Sequence, residues 1–358
     1  MKIVRIAAVM AGAVVLGAVL VKANQRSIGL ALFERMAAQR MATSVLGDLP
    51  DGLHVAVCGS SSPLPGPGRA GPCLLVHAGE TTVVVDVGGG SPRQIGVMGI
   101  DSGDIDAILL THLHSDHIDG LGELLLQSWA GGRRQTPMPV HGPVGTAQVV
   151  EGFNLAYAVD ATYRIAHHGE TAIPPAGFGG VATEFIVEAD ESQIVFESGG
   201  LTVTAFAVDH EPVEHAVAFR FDYKGRRVTI SGDTAYNNNM IEAARDADLL
   251  IHDGLQQDLV SILEATAAAN GNEQVAIITH DIPDYHATPE EAAQMATEAG
   301  AGYLAFYHLI PPPPVRFLYP AYLGDAPKHF DGPITVTEDG MLFSLPIGSD
   351  SVQLTRLF

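Results

Sequence analysis

The stretch Thr111-His112-Leu113-His114-Ser115-Asp116-His117 decides how this chain is read. Four potential ligands fall within six residues, directly after the apolar run 105–111 (IDAILLT). A segment leaving a strand can turn such side chains to one side. His112 and His114, two apart, point the same way from extended backbone. Asp116 and His117 follow and can serve a second position. Neutral imidazole and carboxylate suit first-row divalent metals, zinc above all. An incidental polar loop would not gather ligands this densely.

Working outward, short strands and helices alternate. Residues 54–58 and 73–78 read as apolar strands around a Gly/Pro/Ser loop, 59–71. Residues 81–86 (TTVVVD) are β-branched and run into Gly88-Gly89-Gly90, a strand-to-turn signal. A helix is predicted over 121–129 and a strand over 138–141. Residues 151–190 show little periodicity and read as an irregular insertion. Strands follow at 193–197, 201–209, 216–223 and 227–231, the last two joined by the hairpin turn Lys224-Gly225-Arg226. A buried strand is predicted over 249–253. Thr288 and Glu291 form a capping box with Pro289 in the first helical position, and Gly300 stops that helix. A strand over 302–308 ends at four prolines. This alternation implies an α/β layered domain over 51–358, with no internal repeat and no linker to split it.

Composition narrows the function. In 358 residues, 19 basic against 41 acidic side chains give a net charge of −22. Binding DNA or RNA depends on Lys and Arg displacing counterions, and the chain has no Lys/Arg run, so nucleic acid is not the expected partner. Two cysteines exclude a disulfide-dense scaffold and a four-cysteine zinc site.

Lys2 and Arg5 precede an uncharged apolar run, 6–21, as in an export signal or membrane anchor. At 16 residues the run is slightly short for a relaxed span of about 20. Residues 1–26 are therefore expected to anchor the chain in a membrane or to be cleaved, with a buried core helix as the remaining reading. Either of the first two puts the rest of the chain outside the cytoplasm, in a periplasm if the cell has one. Residues 27–50 connect, with an amphipathic helix over 28–46. Cys58 and Cys73 suit an exported protein. Closing their loop would stabilise by about 3 kcal/mol, and two free buried thiols are the alternative.

The ligand stretch resembles the metallo-β-lactamase fold superfamily, over roughly residues 52–347. Further motifs carry the likeness: Asp86 in VVVDVGGG, Val208-Asp209-His210 before Pro212-Val213, Ser231-Gly232-Asp233-Thr234, and Phe306-Tyr307-His308-Leu309. The chain is most similar to ribonuclease Z-like metal-dependent hydrolases, through Cys58-Gly59-Ser60-Ser61-Ser62-Pro63, Arg69, Gly-Asp-Thr and His286-Ala287-Thr288. The resemblance implies an αββα sandwich with a dinuclear site at one edge. It implies that His112, His114 and His210 bind one Zn²⁺, that Asp116, His117 and His308 bind the other, and that Asp233 bridges them. Mn²⁺ or Fe stay open as occupants. The implied reaction is cleavage of a phosphodiester or related sulfate or carboxylic ester by metal-bound hydroxide, with His286 protonating the leaving group and Asp116 orienting the attack. Asp86 and Asp209 are candidate acceptors for imidazole N–H groups. For Asp209 a solvated strand-end carboxylate is an equal reading, and His286 can also be a structural histidine at a helix start.

The chain also departs from the pattern. Ribonuclease Z grips tRNA with a basic arm, whereas 151–190 holds one Arg, no Lys and several acids. The family's His-Glu pair reads His252-Asp253 here. The expected substrate is therefore a small anionic molecule or ester. His215 competes weakly with His210 as a ligand, and His167-His168 can line a cleft or sit on the surface. His280 and His252 read as structural or supporting, and His54, His77, His141 and His329 as ordinary. Residues 59–62 can cradle an anion or simply turn. Opening of a β-lactam or lactone is the nearest rival activity, although neither cysteine lies where a classical β-lactamase places one. A diiron redox protein would carry Glu in place of His114. A binding protein with a vestigial site is disfavoured by retention of all seven ligands. A homodimer stays open.

Overall fold

In the computed structural model the apolar runs pair into two sheets, and the structure describes residues 10, 15, 18–42 and 45–358. The first strands are β1 (Gly52–Gly59), β2 (Cys73–Ala78), β3 (Thr81–Val85), β4 (Ala107–Leu109), β5 (Met138–Pro143) and β6 (Gly180–Phe185). Next come β7 (Ser192–Ser198), β8 (Leu201–Ala207), β9 (Val217–Tyr223), β10 (Arg226–Ile230) and β11 (Leu249–Leu255). The chain closes with β12 (Leu304–Ile310), β13 (Ile334–Val336), β14 (Met341–Pro346) and β15 (Gln353–Arg356). One sheet has eight strands in the order β15-β14-β1-β2-β3-β4-β5-β6, the other seven in the order β13-β12-β11-β10-β9-β8-β7. Each is parallel on one side (β3 to β6, β10 to β13) and antiparallel on the other.

Alternation along the strands builds the core. Leu53, Val55 and Val57 of β1, Leu74 and Val76 of β2, and Val83 and Val85 of β3 face inward, where they meet Val203, Ala205, Phe219, Phe221, Val228 and Ile230 of the other sheet. Helices cover the outer faces. Ala292, Met295 and Ala296 of the helix Pro289–Ala299 pack on Leu250, Leu304 and Phe306. The capping box at Thr288 and Glu291 is formed, and Gly300 ends the helix at φ 71°. The architecture is thus the expected αββα sandwich.

The stretch 151–190 corrects the expectation of an irregular insertion. Its first part, 151–168, belongs to the helix Thr146–His168, and β6 follows. That helix buries only Thr146, Val150 and Ala161 and exposes Leu155, Val159 and Tyr163. Its apolar residues therefore form no single inward stripe, which is why periodicity did not reveal it. The helices Gln257–Ala269 and Glu273–Asp281 also go beyond the sequence reading.

Residues Asp48–Phe358 form one compact unit. In the preceding unit the helix Gln25–Ala42 carries exposed Ile28, Leu30, Leu32, Phe33 and Met36. The expected anchor, 6–21, lies largely outside the described residues. Among the described residues no helix is long and apolar enough to cross a membrane.

A disulfide joins Cys58 and Cys73, 15 residues apart, with Cα atoms 5.0 Å from each other. It ties the ends of β1 and β2 beneath the Gly/Pro loop. Replacing both (Cys58→Ala with Cys73→Ala) is expected to lower the unfolding free energy by about 3 kcal/mol. A lower unfolding free energy extrapolated from urea titration, with a slope raised by the more expanded unfolded chain, would show it, and an unchanged free energy would refute it.

Candidate metal centre

The chemistry-bearing side chains leave the sheets at strand ends. His112 and His114 follow β4, and Asp116 and His117 lie on the single-turn helix Ser115–Ile118. His210 follows β8, Asp233 follows β10, and His308 lies near the end of β12. Asp86 follows β3 in a left-handed conformation, φ 56°, which Asp tolerates. Its backbone N–H bonds Leu109 O at 2.9 Å, and the next residue, Val87, bonds His117 O at 2.7 Å. Two glycines are required here. A Cβ on Gly88 would lie 2.5 Å from Asp116 O, and one on Gly232 (φ 63°) would lie 2.9 Å from the Thr111 side chain.

One cluster is built on His112, His114, His210 and Asp233. His112 Nε2 lies 3.1 Å and His210 Nε2 3.2 Å from His114 Nδ1. The outer partners decide which nitrogens carry protons. His210 Nδ1 faces the Tyr285 carbonyl at 3.0 Å, an acceptor only, so it holds the N–H. Thr111 Oγ1 donates to Asp86 Oδ2 at 2.8 Å, so it accepts from His112 Nδ1 at 3.1 Å. Both Nε2 atoms therefore aim lone pairs at one spot, beside the Asp233 carboxylate. Such a convergence is unfavourable without a cation.

The second cluster holds Asp116, His117 and His308. His117 Nδ1 donates to Asp86 Oδ2 at 2.8 Å. His308 Nε2 lies 3.1 Å from Asp116 Oδ2. Asp233 Oδ2 belongs to both clusters, at 3.2 Å from His117 Nε2 and His308 Nε2 and 3.8 Å from His112 Nε2. Its other oxygen, Oδ1, is buried with no hydrogen-bond partner among the described residues. An orphaned carboxylate oxygen amid imidazoles is the donor set a divalent cation needs.

Electrostatics separate the two groups. Burial pushes His112 well below the usual imidazole range, and it lowers His114 and His210 as well. Burial also opposes charge on His117, but the Asp233 and Asp86 carboxylates outweigh it and hold His117 well above that range. His308 is raised in the same way, by Asp233 and Asp116 against burial. Asp233 goes the other way: despite burial, His117 and His308 keep it well below the carboxylate range.

A third grouping joins Asp253 and His286 to Asp233 and His308. His286 is buried just before the capped helix, and its Nδ1 donates to Asp253 Oδ2 at 2.8 Å. The His286 and His308 rings stack with centroids 5.5 Å apart. Burial opposes ionisation of Asp253, but His252 and His286 lower its pKa. Sequence reasoning missed Asp253 as the partner of His286 and Tyr285 as the partner of His210. The pair His252-Asp253 was the one available signal.

The remaining expected residues lie elsewhere. Asp209 is exposed, and His210 Nδ1 uses the Tyr285 carbonyl instead of it. His215 lines a separate cavity with Asp209. His167 and His168 are exposed at a helix end, and His280 is exposed beside Glu264. Ser60 N–H and Oγ–H donate to Asp339 Oδ1, so the opening loop is fastened down. Arg69 braces it through Ser60 Oγ, Thr337 O and Tyr319 Oη.

Residues 84–309 match the family model described as "Beta-lactamase superfamily domain". The ribonuclease Z of Mycobacterium bovis (strain BCG / Pasteur 1173P2) is 35% identical over 263 residues, covering 72% of this chain and 86% of the relative. The metallo-beta-lactamase fold protein YhfI from Bacillus subtilis aligns with a TM-score of 0.60 at 21% identity, covering 82% of this chain and 99% of its own. Human tRNase Z, short form, aligns with a TM-score of 0.56 at 23% identity, covering 82% and 100%. The chain belongs to the metallo-β-lactamase superfamily, in its ribonuclease Z-like branch of metal-dependent hydrolases.

Two outcomes are expected. Asp86→Asn removes the carboxylate behind His117 and Thr111, so metal affinity should fall by about 10–100-fold, measured by chelator competition. Affinity should also rise with pH. His117 and His308 hold protons above pH 6.5 that an incoming cation must expel, so competition eases as pH climbs through their raised values. Proton release in calorimetry across two buffers checks this, and a pH-independent affinity would refute it.

Proposed function

We propose that this chain is a dinuclear zinc hydrolase of phosphodiesters or related sulfate and carboxylic esters. The observation that carries this reading is the sharing of Asp233 between two ligand clusters. His112, His114, His210 and Asp233 would hold one ion, and Asp116, His117, His308 and Asp233 the other. The imidazole-rich set favours zinc over harder ions. When bound, such ions supply Lewis acidity and water that ionises near neutral pH. The chain's own groups do the rest. Asp86, Thr111 and the Tyr285 carbonyl fix the tautomers of His117, His112 and His210. His286 commits Nδ1 to Asp253, leaving Nε2 to carry a proton to the leaving oxygen. Asp253 steadies the imidazolium when that proton is present. Ser62 Oγ lines a cavity together with His114, Asp116, Asp233, His286 and His308; it is buried without a hydrogen-bond partner among the described residues and offers a donor to an ester oxygen.

The relatives named ribonuclease Z make RNA the rival substrate. The charge of −22 favours a small ester. The Cys58–Cys73 disulfide supports a place of action outside the reducing cytoplasm.

Metal-loaded protein should turn over bis-p-nitrophenyl phosphate in preference to a chromogenic cephalosporin, an acyl-lactone or pre-tRNA. His114→Ala and Asp233→Ala should abolish turnover. His286→Ala should lower kcat by about 10²–10⁴-fold with metal content unchanged. Full activity in the Asp233 variant, or in metal-stripped protein, would exclude the mechanism.

A further inference from the structure

The cavity over the candidate metal centre combines the His and Asp side chains with apolar ones. Its volume is 380 Å³, and His114, Asp116, Asp233, His286 and His308 line it. Leu64, Val275, Ile278, Ile282 and Ile310 supply an apolar wall. The wall is anchored: Ile310, Leu255 and Val260 form a small buried core against which Leu64 and Ile282 pack. This holds the helix Glu273–Asp281 beside the site. The wall is in part open to solvent, since Ile278 is 48% and Val275 39% exposed.

Charge points the same way. No Lys or Arg is among the described residues lining this cavity. The segment 256–285, which supplies Val275, Ile278, Thr279, Ile282 and Tyr285 to the lining, carries Asp258, Glu264, Glu273, Asp281 and Asp284 and no Lys or Arg. A polyanion would meet repulsion here and find no cation to displace its counterions. An apolar group would instead cover exposed isoleucine and valine, which is favourable in water.

We propose that the substrate is an ester with one apolar alkyl or aryl arm, seated against Val275, Ile278 and Ile282 while the ester group rests on the metal centre. This rests on the hydrolase reading above for its chemistry. The apolar wall itself is an independent observation.

The test is calorimetric titration of the metal-loaded full-length chain with methyl-, butyl- and hexylphosphonate, beside turnover of bis-p-nitrophenyl phosphate. Affinity should rise about threefold per added methylene. Ile278→Asp puts a charge on an exposed position of the wall and should flatten the series, bringing the hexyl-to-methyl ratio down by at least tenfold. Val275→Ser should flatten it partly, and Ile278→Leu should preserve it. Equal affinity along the series would overturn the proposal. So would a slope that Ile278→Asp leaves intact, or displacement of hexylphosphonate by pre-tRNA at a lower concentration than its own. A steep series on a protein that turns over no ester would sink the hydrolase reading and leave the apolar subsite standing.

Discussion

The buried carboxylate of Asp233 lies between two sets of imidazole nitrogens, and the structure depends on keeping those nitrogens aimed inward. That aim is imposed from outside the cluster. Asp86 takes the Nδ1–H of His117, Thr111 takes that of His112, and the Tyr285 carbonyl takes that of His210. Each outer contact decides a tautomer, and each tautomer decides what the inner nitrogen offers. The sandwich makes this possible by bringing β3, β4, β8, β10, β11 and β12 to one edge with their ends adjacent. Rigid strands hold the donors, and short loops turn them inward.

Much of the centre was legible in the sequence because its key parts are local. His112 to His117 are read from six consecutive residues that follow an apolar strand. His210, Asp233 and His308 were legible because each follows or ends a strand within a recognisable family motif. What escaped is non-local. Asp253 reaches His286 across 33 residues and Tyr285 reaches His210 across 75, and neither contact leaves a periodic trace. Asp209 shows the converse: it adjoins a ligand in sequence, yet its side chain points to solvent.

The fold was read with the same asymmetry. The eleven strands read from the sequence fell within a residue or two of those observed. By contrast β6, β13, β14 and β15 went unread, although Met341, Phe343 and Leu345 of β14 alternate into the core. The helix Thr146–His168 was not placed, because it buries too little for an apolar stripe to stand out. The helical pair 257–281 was also missed, and it shapes the cavity. Sequence composition correctly marked the chain as acidic. Only the structure shows that an acidic segment, 256–285, contributes apolar residues to the cavity beside the His and Asp clusters.

The dipeptide Tyr285-His286 has a double allegiance. Through one carbonyl it steers a ligand of the first cluster, and through the adjoining ring it meets Asp253 and lies over His308. It also follows closely on the helix that carries the apolar wall. A displacement of this short segment would disturb ligand geometry and acid delivery in one stroke. One short segment thus serves both groupings, so neither can be re-aimed independently of the other.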